Sequence, residues 1–231
     1  MEYKNIVKGI FLSRPNRFTA NVLINGNEET VHVKNTGRCK ELLIKGCTVY
    51  LFKSDNPNRK TEYDLIGVEK LKDDGSFLLI NMDSQIPNDV ANEWLLKGNI
   101  ISKNARIKRE YTFGKSRFDF YMEDASRKIF LEVKGVTLEE KGIALFPDAP
   151  TLRGVKHIKE LENAVRAGYE AYILFIIQMK GIKYFTPNCN THKEFAQALK
   201  HAKENGVKIS ALDCTVTENS ITADKEIPVK I

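Results

Sequence analysis

Cysteine is scarce in this chain of 231 residues: there are four, at positions 39, 47, 189 and 214. None has the C-x-x-C spacing of a zinc site or a thioredoxin-type redox pair. They read as free thiols, which suits a reducing compartment. The four histidines, His32, His157, His192 and His201, are too scattered to announce a metal cluster. Long apolar runs are missing as well. The longest, Ala171 to Ile177, falls far short of the roughly 20 residues a membrane helix needs. The opening MEYKNIVKGI lacks the apolar segment of a secretory signal. A cytoplasmic protein without membrane contact is therefore expected. Neither G-x-x-x-x-G-K-[ST] nor G-x-G-x-x-G occurs, so nucleotide hydrolysis and dinucleotide binding have no support. Ser116 and Ser126 lack the setting of a catalytic triad, which argues against a serine hydrolase. No helix-turn-helix pattern emerges.

What remains is an ordinary globular balance, 29% charged and 42% hydrophobic, with a formal net charge of +6. The first 100 residues hold 14 basic and 13 acidic groups, and the remainder 22 and 17. The basic excess thus lies in the second part. It is compatible with a polyanionic partner and does not prove one.

Residues 1–82 read as short strands separated by turns. Thr19 to Ile24 ends in Asn25-Gly26, a strong hairpin signal, and Glu29 to Lys34 answers it. Cys47 to Lys53, Tyr63 to Leu71 and Ser76 to Asn81 follow. Five short strands in this space predict a small all-β barrel, of which an OB-like barrel is one solution. Between them, Asn35 to Lys40 is a polar loop in which Gly37 supplies backbone freedom, and Arg38 and Lys40 are suited to phosphate. Arg14 and Arg17 precede the first of these strands, interleaved with Phe11 and Phe18. Such a mixture serves single-strand stacking, although the phenylalanines fit equally as core residues.

Residues 83–109 read as a join. They carry an amphipathic helix over 89–97 that buries Trp94, and then the basic residues Arg106, Lys108 and Arg109. The following stretch, residues 110–134, bears the strongest chemical pattern. Arg117 to Met122 reads as a strand with Phe118, Phe120 and Met122 on one face and Asp119 on the other. Ile129 to Val133 reads as its neighbour. Glu132 and Lys134, two apart, share a face. A hairpin would bring Asp119 beside them. Two carboxylates with an ammonium at their edge can hold Mg²⁺, which takes one or two protein carboxylates and completes its shell with water and phosphate. Lysine there would orient water or balance charge on phosphate. Glu132 lies within the apolar run Ile-Phe-Leu-Glu-Val, where an acid needs a partner or a metal. Glu110 is the natural further carboxylate, placed by this reading at a helix end.

These residues resemble the core of the PD-(D/E)xK nuclease superfamily, with Asp119 as the first acid, Glu132 as the second, Lys134 as the lysine and Glu110 as the upstream helical glutamate. The proline of the nominal motif is absent, since Phe118 precedes Asp119. Two further stretches, Asn35-Thr-Gly-Arg38 and Leu145-Phe-Pro-Asp-Ala-Pro-Thr-Leu-Arg-Gly-Val-Lys-His-Ile-Lys-Glu-Leu161, resemble the sugar fermentation stimulation protein A (SfsA) family over nearly the whole chain. The resemblance implies an OB-like N-terminal domain (1–82), the join (83–109) and a restriction-endonuclease-like α/β domain with a mixed sheet (110–231). It also implies DNA binding, with RNA as the alternative partner and a homodimer left open.

Beyond the acids, a helix starting near Thr151 places Val155, Ile158, Leu161 and Val165 inward. Arg153, Lys156, His157 and Glu160 then form its polar face. Arg153, Lys156 and His157 are read as phosphate contacts, because this face coincides with the family signature. His157 also fits a hydrogen bond to a core neighbour. The apolar Tyr169 to Gln178 fits a central strand covered on both sides. The resulting expectation is a DNA-binding protein in which Asp119 and Glu132 ligate Mg²⁺ or Mn²⁺ for phosphodiester hydrolysis. A non-enzymatic regulator of sugar metabolism genes is the other reading.

Overall fold

The computed structural model describes residues 1–35 and 37–231. Six strands come first: β1 (Ile6–Ser13), β2 (Thr19–Ile24), β3 (Asn27–Val33), β4 (Thr48–Lys53), β5 (Tyr63–Leu71) and β6 (Phe77–Asn81). Helix α1 (Ile86–Leu96) leads to β7 (Arg106–Phe113), β8 (Ser116–Asp124), β9 (Arg127–Val136), β10 (Leu138–Glu140) and β11 (Ile143–Phe146). Then come α2 (Leu152–Arg166), β12 (Glu170–Ile177), β13 (Tyr184–Pro187), α3 (Lys193–Glu204), β14 (Lys208–Val216) and β15 (Ile221–Glu226).

The first sheet runs β3-β2-β1-β4-β5 and closes on itself where β3 pairs in parallel with the start of β5. Closure makes a five-stranded barrel and leaves the second half of β5 free to pair with β6. The barrel is filled by small branched side chains, among them Val22, Val31, Val49, Leu51, Leu65 and Val68, all inaccessible to solvent. At the closure, the buried Asp64 accepts from both His32 Nδ1, at 2.9 Å, and the Arg59 guanidinium. The turn joining β2 to β3 has Asn25 and Gly26 at φ 49° and 86°, the twist a two-residue hairpin requires. Of the barrel strands, the one the sequence did not announce is β1, in the middle of the sheet. Lys8 and Gly9 interrupt its apolar pattern. Phe11 on β1 is a core residue, whereas Phe18 is 53% exposed.

The second large sheet has the order β15-β14-β12-β9-β8-β7. Strands β9, β12 and β14 are mutually parallel, and β8, β7 and β15 run antiparallel to their neighbours. Both faces are covered. On β12, Ile173, Phe175 and Ile177 pack in the cluster that contains α2 and α3 residues. Leu174 and Ile176 pack with Val90, Ala91 and Leu95 of α1. That two-sided burial explains the near-continuous apolar run of β12. A small third sheet, β10-β11-β13, lies beside them.

The residues expected to join the two units do more than connect. Helix α1 covers one face of the second sheet, and Arg106 to Arg109 are the first half of strand β7. The barrel and the second sheet meet at Gln178, just past β12, which is 1% exposed. Its Nε2 donates to the carbonyls of Asn81 and Asp83, at 3.0 and 2.9 Å, and its own carbonyl accepts from Asn81 N at 2.9 Å.

Candidate metal and nucleic-acid site

Strands β8 and β9 pair from Asp124↔Arg127 up to Phe120↔Leu131, and the ladder stops there. Just beyond, Asp119 takes over for the missing backbone partner: its Oδ2 accepts from Val133 N at 2.7 Å. Its Oδ1 accepts from Asn88 Nδ2 of α1 at 2.9 Å. The strand's alternation breaks at the same place. Phe120 and Met122 pack beneath α1, while Phe118 packs on the α2 side with Phe130. The expectation that all three share a face therefore fails, because β8 turns at Asp119 to leave β9.

Glu132 is 2% exposed. Its Oε1 accepts from both Lys134 Nζ and His157 Nδ1, and its Oε2 is buried with no partner. Burial alone would raise the Glu132 pKa, but the Lys134 ammonium and the His157 bond outweigh it and hold the carboxyl below its usual range. Asp119 moves the other way. Burial first, and the Glu132 charge second, push its pKa up against the Val133 and Asn88 hydrogen bonds. The two carboxyls thus have opposite tendencies, the Glu132 charge is felt at Asp119, and one buried Glu132 oxygen is unused.

Helix α2 starts as expected, with Thr151 Oγ1 accepting from Gly154 N at 3.0 Å. His157, however, does not lie on the polar face with Arg153 and Lys156. Gly154, His157, Ile158 and Leu161 form the buried stripe at offsets of three, four and seven. At 6% exposure, with its ring edge-on to Phe118 and Nδ1 on Glu132, the imidazole is turned inward. Arg153 and Lys156 are exposed. Arg153 Nε lies 3.4 Å from His157 Nε2, and Lys156 Nζ donates to the Lys115 carbonyl at 2.6 Å.

Glu110 is corrected more sharply. It sits on β7, not on a helix, with its side chain 66% exposed and 3.5 Å from Arg117. Its backbone φ of 54° marks the kink opposite Asp119. The α1 residue that reaches Asp119 is instead Asn88, which the helix expected over 89–97 left just outside its start.

Of the barrel residues, Arg14 is consumed by architecture. Its guanidinium donates to the carbonyls of Arg17, Asn35, Gly37 and Arg38 at 2.7–3.0 Å, and so shapes the loop that carries Arg38. Arg17, Arg38 and Lys40 are exposed and line a pocket of about 390 Å³. Within the Asn35–Arg38 motif, Thr36 lies outside the described residues.

Among the described residues no three His, Cys, Asp or Glu side chains gather as a metal cage. The fit to a divalent ion rests on Asp119 and Glu132 alone. It is a chemically sound one: hard oxygens, one of them buried and unpartnered, with the remaining positions left to water and phosphate. Among the described residues, no helix is long and apolar enough to cross a membrane.

Known proteins resemble this chain over both of its units. Residues 12–79 match the family model described as the SfsA N-terminal OB domain, and residues 85–220 the one described as the sugar fermentation stimulation protein RE domain. A sugar fermentation stimulation protein homolog of Desulfitobacterium hafniense is 62% identical over 231 residues, covering 100% of this chain and 99% of that protein. One from Clostridium beijerinckii is 59% identical, covering 96% of each. A solved structure, described as Pyrococcus furiosus SfsA in complex with Ca²⁺, superposes with a TM-score of 0.85 at 33% identity, covering 100% of this chain and 98% of that one.

Proposed function

We propose that this chain, which belongs to the sugar fermentation stimulation protein (SfsA) family, binds DNA at the crevice between barrel and sheet and hydrolyses a phosphodiester there with Mg²⁺ or Mn²⁺. The observation that carries the reading is the buried, unpartnered Oε2 of Glu132. A carboxylate oxygen desolvated without a hydrogen bond is costly, and a cation shared with Asp119 removes that cost. The Ca²⁺ of the solved Pyrococcus furiosus relative supports a divalent ion in this fold. When bound, the ion would polarise the phosphate and lower the pKa of a coordinated water.

The chain's own groups divide the remaining work. Asp119 and Glu132 supply the anionic ligands. His157 fixes the Glu132 carboxylate through Oε1 and leaves Oε2 unengaged by the chain. Lys134, 17% exposed and bonded to Oε1, stands where it can orient the attacking water and neutralise charge developing on phosphate. Arg17, Arg38 and Lys40 hold backbone phosphates at a distance from the acids, and Arg153 and Lys156 hold them along α2.

Calorimetric titration of Mn²⁺ into the wild type, Asp119→Ala and Glu132→Ala tests the metal site. Heat is expected in the wild type alone, with a metal-dependent rise of its thermal midpoint. Equal, negligible heats in all three would leave a nucleic-acid-binding protein without this chemistry. A cleavage assay on DNA and RNA, wild type beside Glu132→Ala, then decides activity and substrate.

A further inference from the structure

Between the barrel and the second sheet lies a cleft of about 320 Å³, close to the acids but separate from them. Gly135, which follows Lys134, forms part of its wall, and Thr151, which caps the helix carrying His157, forms another. Glycine is required at 135, because a Cβ would come within 2.5 Å of Gln178 Oε1 and 2.6 Å of Pro87 Cγ. At its other end the cleft shares Gly37 and Ala149 with the basic pocket of Arg17, Arg38 and Lys40.

The chemistry inside differs from that of its neighbours. Among the described residues the lining holds no lysine or arginine, and its one charged group is the Asp148 carboxylate. Phosphate is repelled from such a cleft. One wall is apolar, built by Leu145 and Phe146. In the same lining, the Asn35 amide and the Asp148 carboxylate converge on Gly37, where a Cβ would collide with both. Asn35 Oδ1 is occupied by Gly37 N at 2.8 Å, which turns its Nδ2 into the available donor. An apolar wall, a carboxylate acceptor and an amide donor side by side are the complement of a nucleobase edge. The volume is at the small end of ligand sites.

We infer that this cleft seats one unpaired nucleobase bearing an exocyclic amino group, with its amino N–H donated to Asp148 and a ring acceptor facing Asn35 Nδ2. The flanking phosphates then run toward Arg38 on one side and toward the Asp119–Glu132 pair on the other. The inference rests on the proposed function and sharpens it: the substrate presents a single-stranded or frayed nucleotide next to the acids, and a base without an amino group is disfavoured.

Fluorescence anisotropy in EDTA tests this, with fluorescein-labelled oligo-dA, oligo-dC, oligo-dT and a blunt duplex as probes. The wild type is expected to bind oligo-dA and oligo-dC about tenfold more tightly than oligo-dT, which has no amino group to donate. Asp148→Asn should shrink that ratio to about threefold or less at unchanged thermal midpoint. Asn35→Asp keeps the acceptor for Gly37 N but loses the donor, and should weaken binding to all three strands. Equal binding of the three by the wild type, tighter binding of the duplex, or a ratio unchanged by Asp148→Asn overturns the assignment. If it falls while Mn²⁺ heat persists in the wild type, the metal site stands alone. If the heat is absent while the base preference holds, the cleft stands and the metal reading falls.

Discussion

His157 and Glu132 meet across the interface of α2 and β9, nearly excluded from solvent at 6% and 2% exposure. The imidazole Nδ1 and the Lys134 ammonium share the single oxygen Oε1, and Oε2 is left bare. A histidine expected at the phosphate is thus a positioning residue for an acid. Its ring is held from behind by Phe118, at 6.3 Å between centroids.

From that relationship, His157→Ala should weaken Mn²⁺ binding by about tenfold or more, as loss of a group that orients a metal ligand does. His157→Gln retains a donor and should recover part of the affinity. Both substitutions disturb the same buried site, so a purely structural role would lower both thermal midpoints and leave the two Mn²⁺ affinities equal. Calorimetry beside thermal melts separates the cases.

Lys134→Ala should act differently. Glu132 keeps the His157 bond, so Mn²⁺ affinity is expected to stay within a few-fold of the wild type. Cleavage of whichever nucleic acid the wild type cuts should fall by about a hundredfold or more, because a charge aimed at the reacting phosphate is lost. A parallel loss of metal affinity would place the lysine's role at Glu132 instead.

Arg14 and Arg38 are neighbours with opposite duties. Arg14→Ala strands four loop carbonyls and should cost about 1–3 kcal/mol of unfolding free energy in a denaturant melt. Arg14→Lys should not rescue it, since one ammonium cannot reproduce the planar fork. Arg38→Ala should leave stability unchanged and lower the salt slope of DNA binding by about one phosphate contact. Unchanged affinity at several salt concentrations would remove Arg38 from the interface.

Far from the site, Glu170 opens β12 and is held by Arg127, at 2.7 and 3.0 Å, and by Lys208 at 2.8 Å. The Arg127 bonds, assisted by Lys208, bring its carboxyl down to about 2. The folded chain therefore releases this proton more readily than the unfolded one, whose glutamate titrates near about 4.3. The stabilisation is complete above that pH and fades as pH falls toward the folded value. With the side chain 30% exposed, solvent screening limits it to about 1 kcal/mol. The stability gap between wild type and Glu170→Gln should be constant from neutral pH down to about 5 and shrink below about 4. A gap independent of pH would contradict the assignment.

Local physics in the sequence was enough to determine most elements and much of the chemistry. Alternation and turn residues marked β2 to β6. The apolar run of Tyr169 to Gln178 marked a strand covered on both faces, and Thr151 marked the start of α2. The spacing of Glu132 and Lys134 placed both on one face of a strand, and Asp119 on the strand beside it, because side-chain direction in a regular strand follows from parity. Only the tertiary structure decided what depends on distant pairing. The parallel contact of β3 with β5 closes the barrel, and no local pattern encodes it. Strand β1 is held by its neighbours on both sides in spite of Lys8 and Gly9. The β8–β9 ladder ends at Phe120, which swings Phe118 to the opposite face and gives Asp119 a backbone N–H to hold. Helix α1 brings Asn88 to the place expected of Glu110, which is stranded on β7. A turn of one position in the buried stripe of α2 carries His157 from solvent to Glu132. Helical periodicity fixes which residues share a face, but the packing partner chooses which face is buried.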